Sequence, residues 1–377
     1  MSEATIGSRE TDQQPPKRVE VSAVESELAR HRQMVNQRTG EVRMMARVCM
    51  ANLIVFCSTR QRAIDVADEI PSIVEQHPAR VLLLVADEGA PDADVAAYIS
   101  THCTVNNDGW QVCSDHVTLQ ANQRGSLRLP SVARSLLVGD LPTALWWHSP
   151  LAPPLSGATF EELAAMSDQL IYDSLGWLDP ARGVVAMARW LSSAEGTGAV
   201  ADLAWRRLKP WRRLISQVLD PSIVPGALAS IRRVVVEHGP HALTQAWMLA
   251  GWLAARLGWR ASSGRTSPGT EVTWQFLGSQ GPLQVSARRL GMGEPEVHSL
   301  SVSWSSNGDN GTVEFAKLCD ERLGVVAEAS SVPPRFISAP LQSRLRLITR
   351  QLPDFDQDPL FRNTLRVSGQ MASALLG

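Results

Sequence analysis

The chain has 377 residues, of which 44% are hydrophobic and 20% are charged, so it holds enough apolar material for two globular domains. Its formal net charge of -2 excludes a strong overall attraction to nucleic acid or to an anionic membrane. We expect residues 1–19 to form a disordered tail rather than a signal peptide, and we find no apolar run long enough for a membrane span. A cytoplasmic location with reduced cysteines is therefore expected.

Strand and helix patterns alternate through residues 20–205. The strongest strand pattern, 80–88, is apolar at nearly every position, which is typical of a strand covered on both faces in a parallel sheet. We predict a doubly wound α/β domain with a mostly parallel sheet and helices on both faces. The predicted helices are 21–37, 59–76, 95–100, 129–138, 160–166 and 181–191, and the predicted strands are 42–56, 80–88, 111–121, 143–147, 169–172 and 199–203.

The pattern changes in residues 206–377, which we interpret as a second domain. Helices are predicted over 211–219 and 243–257, and then apolar residues recur at every second position. The sequence SNGDNG lies between two such alternating runs and indicates a hairpin. The segment therefore predicts an α+β domain with an antiparallel meander, closed by a helix over 342–352 and a short helix that ends at Leu376.

Motifs for nucleotide or nucleophilic chemistry are absent from the sequence. No glycine-rich phosphate loop, no G-x-S-x-G and no H-E-x-x-H occurs. We therefore expect no catalytic residues and no cofactor.

Four residues could form a metal or redox site. Cys113 and His116 have the local spacing of zinc ligands, and His102 and Cys103 lie upstream. Adjacent ligands such as His102 and Cys103 are uncommon, so we expect no metal. A redox pair of Cys103 with Cys113 stays open, as does a pair of small buried thiols.

Trp146 and Trp147 end a predicted strand, where open α/β sheets bind ligands. Neighbouring side chains on a strand point to opposite faces, so one reading makes these rings binding residues and the other packs both under helices. Both readings stay open at this point.

A segment rich in arginine and tryptophan runs from Trp205 to Arg213, and we name it the basic–aromatic segment. Tryptophan and arginine are frequent anchors of protein interfaces, and Pro210 suits the first turn of a helix. The alternative is a solvated basic face above a buried tryptophan. The candidate partner-binding residues are Trp146, Trp147, Trp205, Arg206, Arg207, Lys209, Trp211, Arg212 and Arg213.

Several blocks occur in one order along the chain: HPARVLLLVAD from His77, QVCSDHVTL from Gln111, LPSVARSLLVGDLPTALWW from Leu129, DQLIYDS from Asp168 and DLAWRRLKPWRRLI from Asp202. In this succession the chain resembles the glucose-6-phosphate dehydrogenase assembly protein family (OpcA). The resemblance continues through LAGWLAARLGW from Leu249. It implies a non-catalytic assembly factor and allosteric activator that binds glucose-6-phosphate dehydrogenase, with neither nucleic acid nor membrane as partner.

Two further functions compete with this expectation. An enzyme or sensor for sugar phosphates would use Asp140, His148, Asp173 and the cations of residues 206–213 around a pocket. A metal- or redox-sensing module would use the cysteine and histidine set instead.

Overall fold

The computed structural model describes residues 12–13, 16–38, 45–46, 49–87, 89, 94–105, 111–122, 124–193, 198–267, 271–306, 309–319, 321–327 and 334–376. The chain falls into two compact units. Unit 1 comprises residues 1–149, 157–171 and 348–355, and unit 2 comprises residues 150–156, 172–347 and 356–377. The boundary that the sequence places at residue 205 stays a prediction.

Unit 1 is an α/β unit built around one sheet. Its strands are β1 (Asp12–Gln13), β2 (Lys17–Val19), β3 (Met45–Ala46), β4 (Ala51–Cys57), β5 (Ala79–Ala86), β6 (Ala96–Val105), β7 (Gln111–Ala121), β8 (Thr143–His148) and β9 (Gln169–Tyr172), of which Tyr172 belongs to unit 2. Its helices are α1 (Val24–Arg38), α2 (Arg60–Ala67), α3 (Ile70–Gln76), α4 (Leu129–Leu136) and α5 (Ala158–Ala164).

The strands of this sheet follow the order β1-β6-β7-β5-β4-β8-β9, and β2 and β3 pair with β6 and β7. β4 pairs in parallel with β5 and β8, and β5 pairs in parallel with β7. β5 is buried at every position except its last, as expected for a central strand covered on both faces. The predicted α/β class with a mostly parallel sheet is confirmed.

The helix predicted over 95–100 is wrong, because these residues begin β6. β6 pairs antiparallel with β7 along ten residues, from Ala96 opposite Gln120 to Val105 opposite Gln111. Two alanines in this stretch favour a helix locally, but the ladder with β7 decides the conformation. The sheet therefore contains an antiparallel region next to its parallel centre.

Unit 2 combines a second sheet with helices. Its strands are β10 (Ala199–Asp202), which does not belong to this second sheet, and β11 (Ile231–His238), β12 (Arg260–Ser267), β13 (Glu271–Gly278), β14 (Gly281–Arg289), β15 (Val297–Ser306), β16 (Asp309–Cys319), β17 (Arg322–Ala327) and β18 (Phe336–Ser338), which form it. Its helices are α6 (Pro180–Ser193), α7 (Leu203–Arg207), α8 (Lys209–Val218), α9 (Leu243–Leu257), α10 (Arg344–Gln351), which continues into unit 1 from Ile348, and α11 (Pro359–Leu376).

The second sheet has the order β12-β13-β14-β11-β15-β16-β17-β18. Its neighbours pair antiparallel except β11 and β14, which are parallel, so the predicted meander is confirmed with one strand inserted. Most of the alternating apolar residues in this domain are buried, Trp274 and Phe276 among them. Trp274 donates its indole N–H to the carbonyl oxygen of Met371 in α11, 3.0 Å away.

Helix α11 is 18 residues long, although the sequence predicts only a short closing helix. It packs against α9 where Gly251 faces Ser368, and against α6 where Gly369 faces Ala188. A Cβ atom on Gly369 would lie 2.6 Å from the Cβ of Ala188. The two helices can approach this closely because glycine has no side chain at this position. No helix in the described ranges is long and apolar enough to cross a membrane.

Candidate partner-binding site

The basic–aromatic segment forms two short consecutive helices in unit 2. Asp202 ends β10 and caps α7, since its Oδ1 accepts a hydrogen bond from the backbone N–H of Ala204 at 2.9 Å. Pro210 lies in the first turn of α8, as the sequence predicts. The cap and the proline fix where each helix begins.

Trp205 lies in the interior, with 3% of its surface exposed. Its indole N–H donates to Oδ2 of Asp358 at 3.0 Å, and its ring centroid lies 5.9 Å from that of Phe361. Asp358 also accepts hydrogen bonds from the first backbone amides of α11. Trp205 therefore anchors α7 to the start of α11 and presents almost no surface to a partner.

Arg212 belongs to the same cluster. Its Cζ lies 3.4 Å from the centroid of the Trp205 ring, and its Nη1 donates to the carbonyl oxygen of Trp205 at 2.8 Å. Burial lowers the pKa of Arg212 to about 10, against the opposing effect of Asp358. The guanidinium thus holds α8 against α7 by a cation–π contact and a hydrogen bond.

Arg207 forms a two-pronged ion pair with Asp173. Nη1 and Nη2 of Arg207 lie 2.9 and 2.8 Å from the two carboxylate oxygens of Asp173. Only 17% and 19% of the two side chains are exposed. Such a fork-to-fork pair is strong and directional, and it satisfies both charged groups within unit 2.

The remaining residues of the segment differ in exposure. Trp211 is buried and Arg206 is half-buried, whereas Lys209 and Arg213 are exposed. The structure thus brings the predicted cations together, but Arg207 and Arg212 have internal structural contacts. Lys209 and Arg213 are the cations of this segment that are open to a partner.

Asp202 was not among the predicted site residues. Oδ1 also accepts from the backbone N–H of Ser174 at 3.0 Å, and Oδ2 accepts from the Ser174 hydroxyl at 2.6 Å. Burial, followed by the nearby charge of Asp173, raises the pKa of Asp202 to about 7. An acidic residue directly before a helix that carries a basic run was the available sequence signal.

Trp146 and Trp147 are each 1% exposed and lie in the core of unit 1. Trp147 stacks on Phe56 with ring centroids 4.0 Å apart, and it meets Phe160 edge to face at 5.4 Å. The reading in which both rings pack internally fits this structure. Their role as partner contacts stays a prediction.

The cysteine and histidine set shows no metal-site geometry in the described ranges, where no group of three His, Cys, Asp or Glu side chains could hold an ion. His116 is half-buried, and the loss of solvation around its ring, followed by the nearby charge of His102, lowers its pKa to about 4. Cys113 is disulfide-bonded, which contradicts the expectation of reduced thiols at this position, whereas Cys49 and Cys57 form no disulfide. The side chain of Cys103, which faces Cys113 in the backbone register, lies outside the described residues.

The residues of the sugar-phosphate alternative are divided between the units. Asp140, in a turn with φ of 63°, and His148 belong to unit 1, whereas Asp173 belongs to unit 2 and is paired with Arg207. A cleft beside Arg207 also borders Gln245, and its volume of about 50 Å³ leaves no room for a sugar phosphate.

Two family models match successive parts of the chain. A family model described as the glucose-6-phosphate dehydrogenase subunit N-terminal domain matches residues 71–189. A second model, described as the C-terminal domain of the same subunit, matches residues 198–365. The chain belongs to this family.

Curated relatives carry a related name. "Putative OxPP cycle protein OpcA" of Nostoc punctiforme is 26% identical over 324 residues, which are 81% of this chain and 67% of that protein. The protein of the same name from Synechocystis sp. is 29% identical over 315 residues, which are 78% of this chain and 64% of that protein. The match thus spans about two thirds of the length of these family members.

Solved structures with a similar backbone share less sequence identity with this chain. An oxidoreductase from Sinorhizobium meliloti has a TM-score of 0.49 and 10% identity, with 86% of this chain and 96% of that chain covered. Levoglucosan dehydrogenase in complex with NADH and L-sorbose has a TM-score of 0.47 and 12% identity, with 87% and 97% covered. Similarities at this level show nothing about the function of this chain.

Proposed function

We propose that this protein binds glucose-6-phosphate dehydrogenase in the cytoplasm and promotes its assembly and activity, without catalysing a reaction itself. The observation that carries the proposal is the match of two successive family models across residues 71–365, both described by the name of that dehydrogenase. The relatives' names place them in the OxPP cycle, which agrees with such a role.

Two acidic side chains near the basic–aromatic segment have structural contacts within unit 2. Asp173 is held by both prongs of Arg207, and Asp202 accepts three hydrogen bonds from Ser174 and Ala204. Groups used in this way hold helices and strands in place within unit 2. The alternative of a sugar-phosphate enzyme gains no specific observation in its favour.

We assign the partner contact within the basic–aromatic segment to its exposed members, Lys209 and Arg213. Both are open to solvent on α8, whose opposite side buries Trp211, Leu214 and Ile215. A rigid helix that presents cations over a buried apolar stripe suits an acidic surface of the dehydrogenase. Interface charges of this kind act mainly on the association rate and on its salt dependence.

A coupled assay tests the proposal. NADPH formation by the dehydrogenase is followed over a range of glucose 6-phosphate concentrations, with and without the protein. An allosteric partner contributes on the order of 1–3 kcal/mol of coupling, so we expect a severalfold rise in activity at limiting substrate. Identical curves under conditions where binding is independently established would contradict activation.

A control addresses catalysis. The protein alone should turn over neither glucose 6-phosphate nor its lactone. Turnover that is lost in Asp140→Asn or Asp173→Asn, while the protein stays folded, would restore the enzymatic alternative.

A further inference from the structure

Two helices of unit 2 carry a concentration of positive charge that lies outside the basic–aromatic segment. Helices α6 and α11 contain four arginines and no aspartate, glutamate or lysine. Arg182 forms an exposed ion pair with Asp179 at 3.5 Å. Among the described residues, Arg189, Arg362 and Arg366 have no salt bridge to an acidic side chain.

The arginines lie on facing stripes of the two helices. On α6 the stripe contains Arg182, Val185, Ala188, Arg189 and Ser192, and on α11 it contains Arg362, Arg366, Gly369, Gln370 and Ser373. These spacings of three and four residues place each set on one helix face. The helices run antiparallel, because Arg362 donates to the carbonyl oxygen of Leu191 at 3.2 Å while Gly369 meets Ala188 further along.

An open groove of about 600 Å³ runs between the two stripes. Val185, Ala188 and Gly369 form its small apolar floor, whereas Arg189 and Arg366 are exposed at its edges. The close approach of α6 and α11 at Gly369 keeps the floor shallow, so a chain segment can lie along it. We propose that the groove between α6 and α11 binds an acidic amphipathic helical segment of another protein, with carboxylates at Arg189 and Arg366 and an apolar face on the floor.

The charge of the groove and the residues that line it favour an acidic helical segment over other occupants. A second copy of the same groove would bring arginines against arginines, which is unfavourable. None of the residues lining the groove is aromatic, so the stacking platform typical of sites for single-stranded nucleic acid is absent from it. Recognition of a helix in a groove uses an apolar floor with charged edges, and this is the arrangement found here.

The inference does not depend on the identity of the dehydrogenase as partner, and a peptide tests it. The probe is a fluorescent helical peptide of about 20 residues with leucines on one face and glutamates flanking them. A control peptide has the same sequence with glutamine at every glutamate position. Fluorescence anisotropy should show binding of the acidic peptide that weakens with salt, and about tenfold or greater loss with the glutamine peptide.

Variants of the full-length protein locate the binding site. Arg189→Glu with Arg366→Glu should weaken binding of the acidic peptide about tenfold or more. The matched control, Arg256→Glu with Arg260→Glu, reverses the same number of charges at exposed positions elsewhere in unit 2. It should leave the affinity within about threefold. Thermal melting checks that both proteins are folded, and glutamine variants at 189 and 366 replace the charge reversals if these unfold.

Three results would overturn the inference. The first is no binding of the acidic peptide to the wild-type protein. The second is equal loss of binding in the groove variant and in the control variant, which would mean attraction to net charge alone. The third is tighter binding of a single-stranded oligonucleotide than of the peptide, with the same dependence on Arg189 and Arg366.

Discussion

The guanidinium carbon of Arg212 lies 3.4 Å from the centroid of the Trp205 ring. In the sequence the two residues belong to one basic–aromatic run, for which an interface and a solvated basic face above a buried tryptophan are both open. In the structure they hold α7 and α8 together, and Trp205 is tied to Asp358 at the start of α11. The run therefore contains structural residues beside exposed ones, and substitutions can separate the two groups.

We expect Arg212→Glu to destabilise the protein by about 2–4 kcal/mol, because it removes the contact with the Trp205 ring and places a carboxylate near Asp358. Arg213→Glu, at the exposed neighbouring position, should change the free energy of unfolding by no more than about 0.5 kcal/mol. Urea unfolding of the two variants measures both values. Equal stability of the two proteins would show that Arg212 has no structural role.

The pair of Arg207 and Asp173 should show measurable coupling. A double-mutant cycle with Arg207→Ala and Asp173→Ala is expected to give about 1–3 kcal/mol, because both side chains are mostly buried and joined by two hydrogen bonds. The pair of Arg182 and Asp179, which is exposed, serves as the control and should give at most about 0.5 kcal/mol. Similar coupling in both cycles would contradict the structural role of the first pair.

Asp202 should make stability depend on pH. Burial raises its pKa from 3.8 to about 7, so the folded protein keeps a proton that the unfolded chain releases. Folding is therefore favoured at low pH, and this contribution is lost as the pH rises from about 4 to 7, with a slope of at most about 1.4 kcal/mol per pH unit.

The variant Asp202→Asn isolates this contribution. The amide oxygen can still accept from the backbone N–H groups of Ser174 and Ala204, so the variant should fold. The difference between wild-type and variant unfolding free energies, followed from pH 4 to 8, should shift in favour of the variant as the pH rises. A difference independent of pH would contradict the raised pKa.

Gly369 permits the close approach of α6 and α11. Gly369→Ala should destabilise the protein by about 1–3 kcal/mol, because the added Cβ would lie 2.6 Å from that of Ala188. Gly291→Ala is the control, since a Cβ atom there meets nothing within 4 Å. Adding Ala188→Gly to Gly369→Ala should restore part of the lost stability in thermal melting. Failure of this rescue would place the strain elsewhere.

The sequence predicts the elements whose burial follows a simple pattern. The apolar run of β5 and the alternation in β13 give strand type and sheet class directly, because each side chain reports the layer it faces. The stretch 95–100 is misread as a helix, since the pairing of β6 with β7 is a long-range property. Strand β11 is missed for the same reason, as its parallel neighbour β14 lies some fifty residues away along the chain.

The candidate site could be predicted only in part. The sequence locates the cations of the basic–aromatic segment, but it does not give their partners. Asp173 and Asp358, which lie 34 and 153 residues from the side chains that they contact, decide which of Arg207, Trp205 and their neighbours stay exposed. The sequence does not point to the arginines of α6 and α11, because each helix contains only two of them. They form one surface only after folding places the two helices side by side.

The most direct test of the central claim is sedimentation velocity of this protein mixed with glucose-6-phosphate dehydrogenase from the same source, each at micromolar concentration. We expect a boundary that contains both proteins and sediments faster than either alone, and Lys209→Glu with Arg213→Glu should reduce its amount while the variant stays folded. Two independent boundaries, each at the sedimentation coefficient of the isolated protein, would contradict the account.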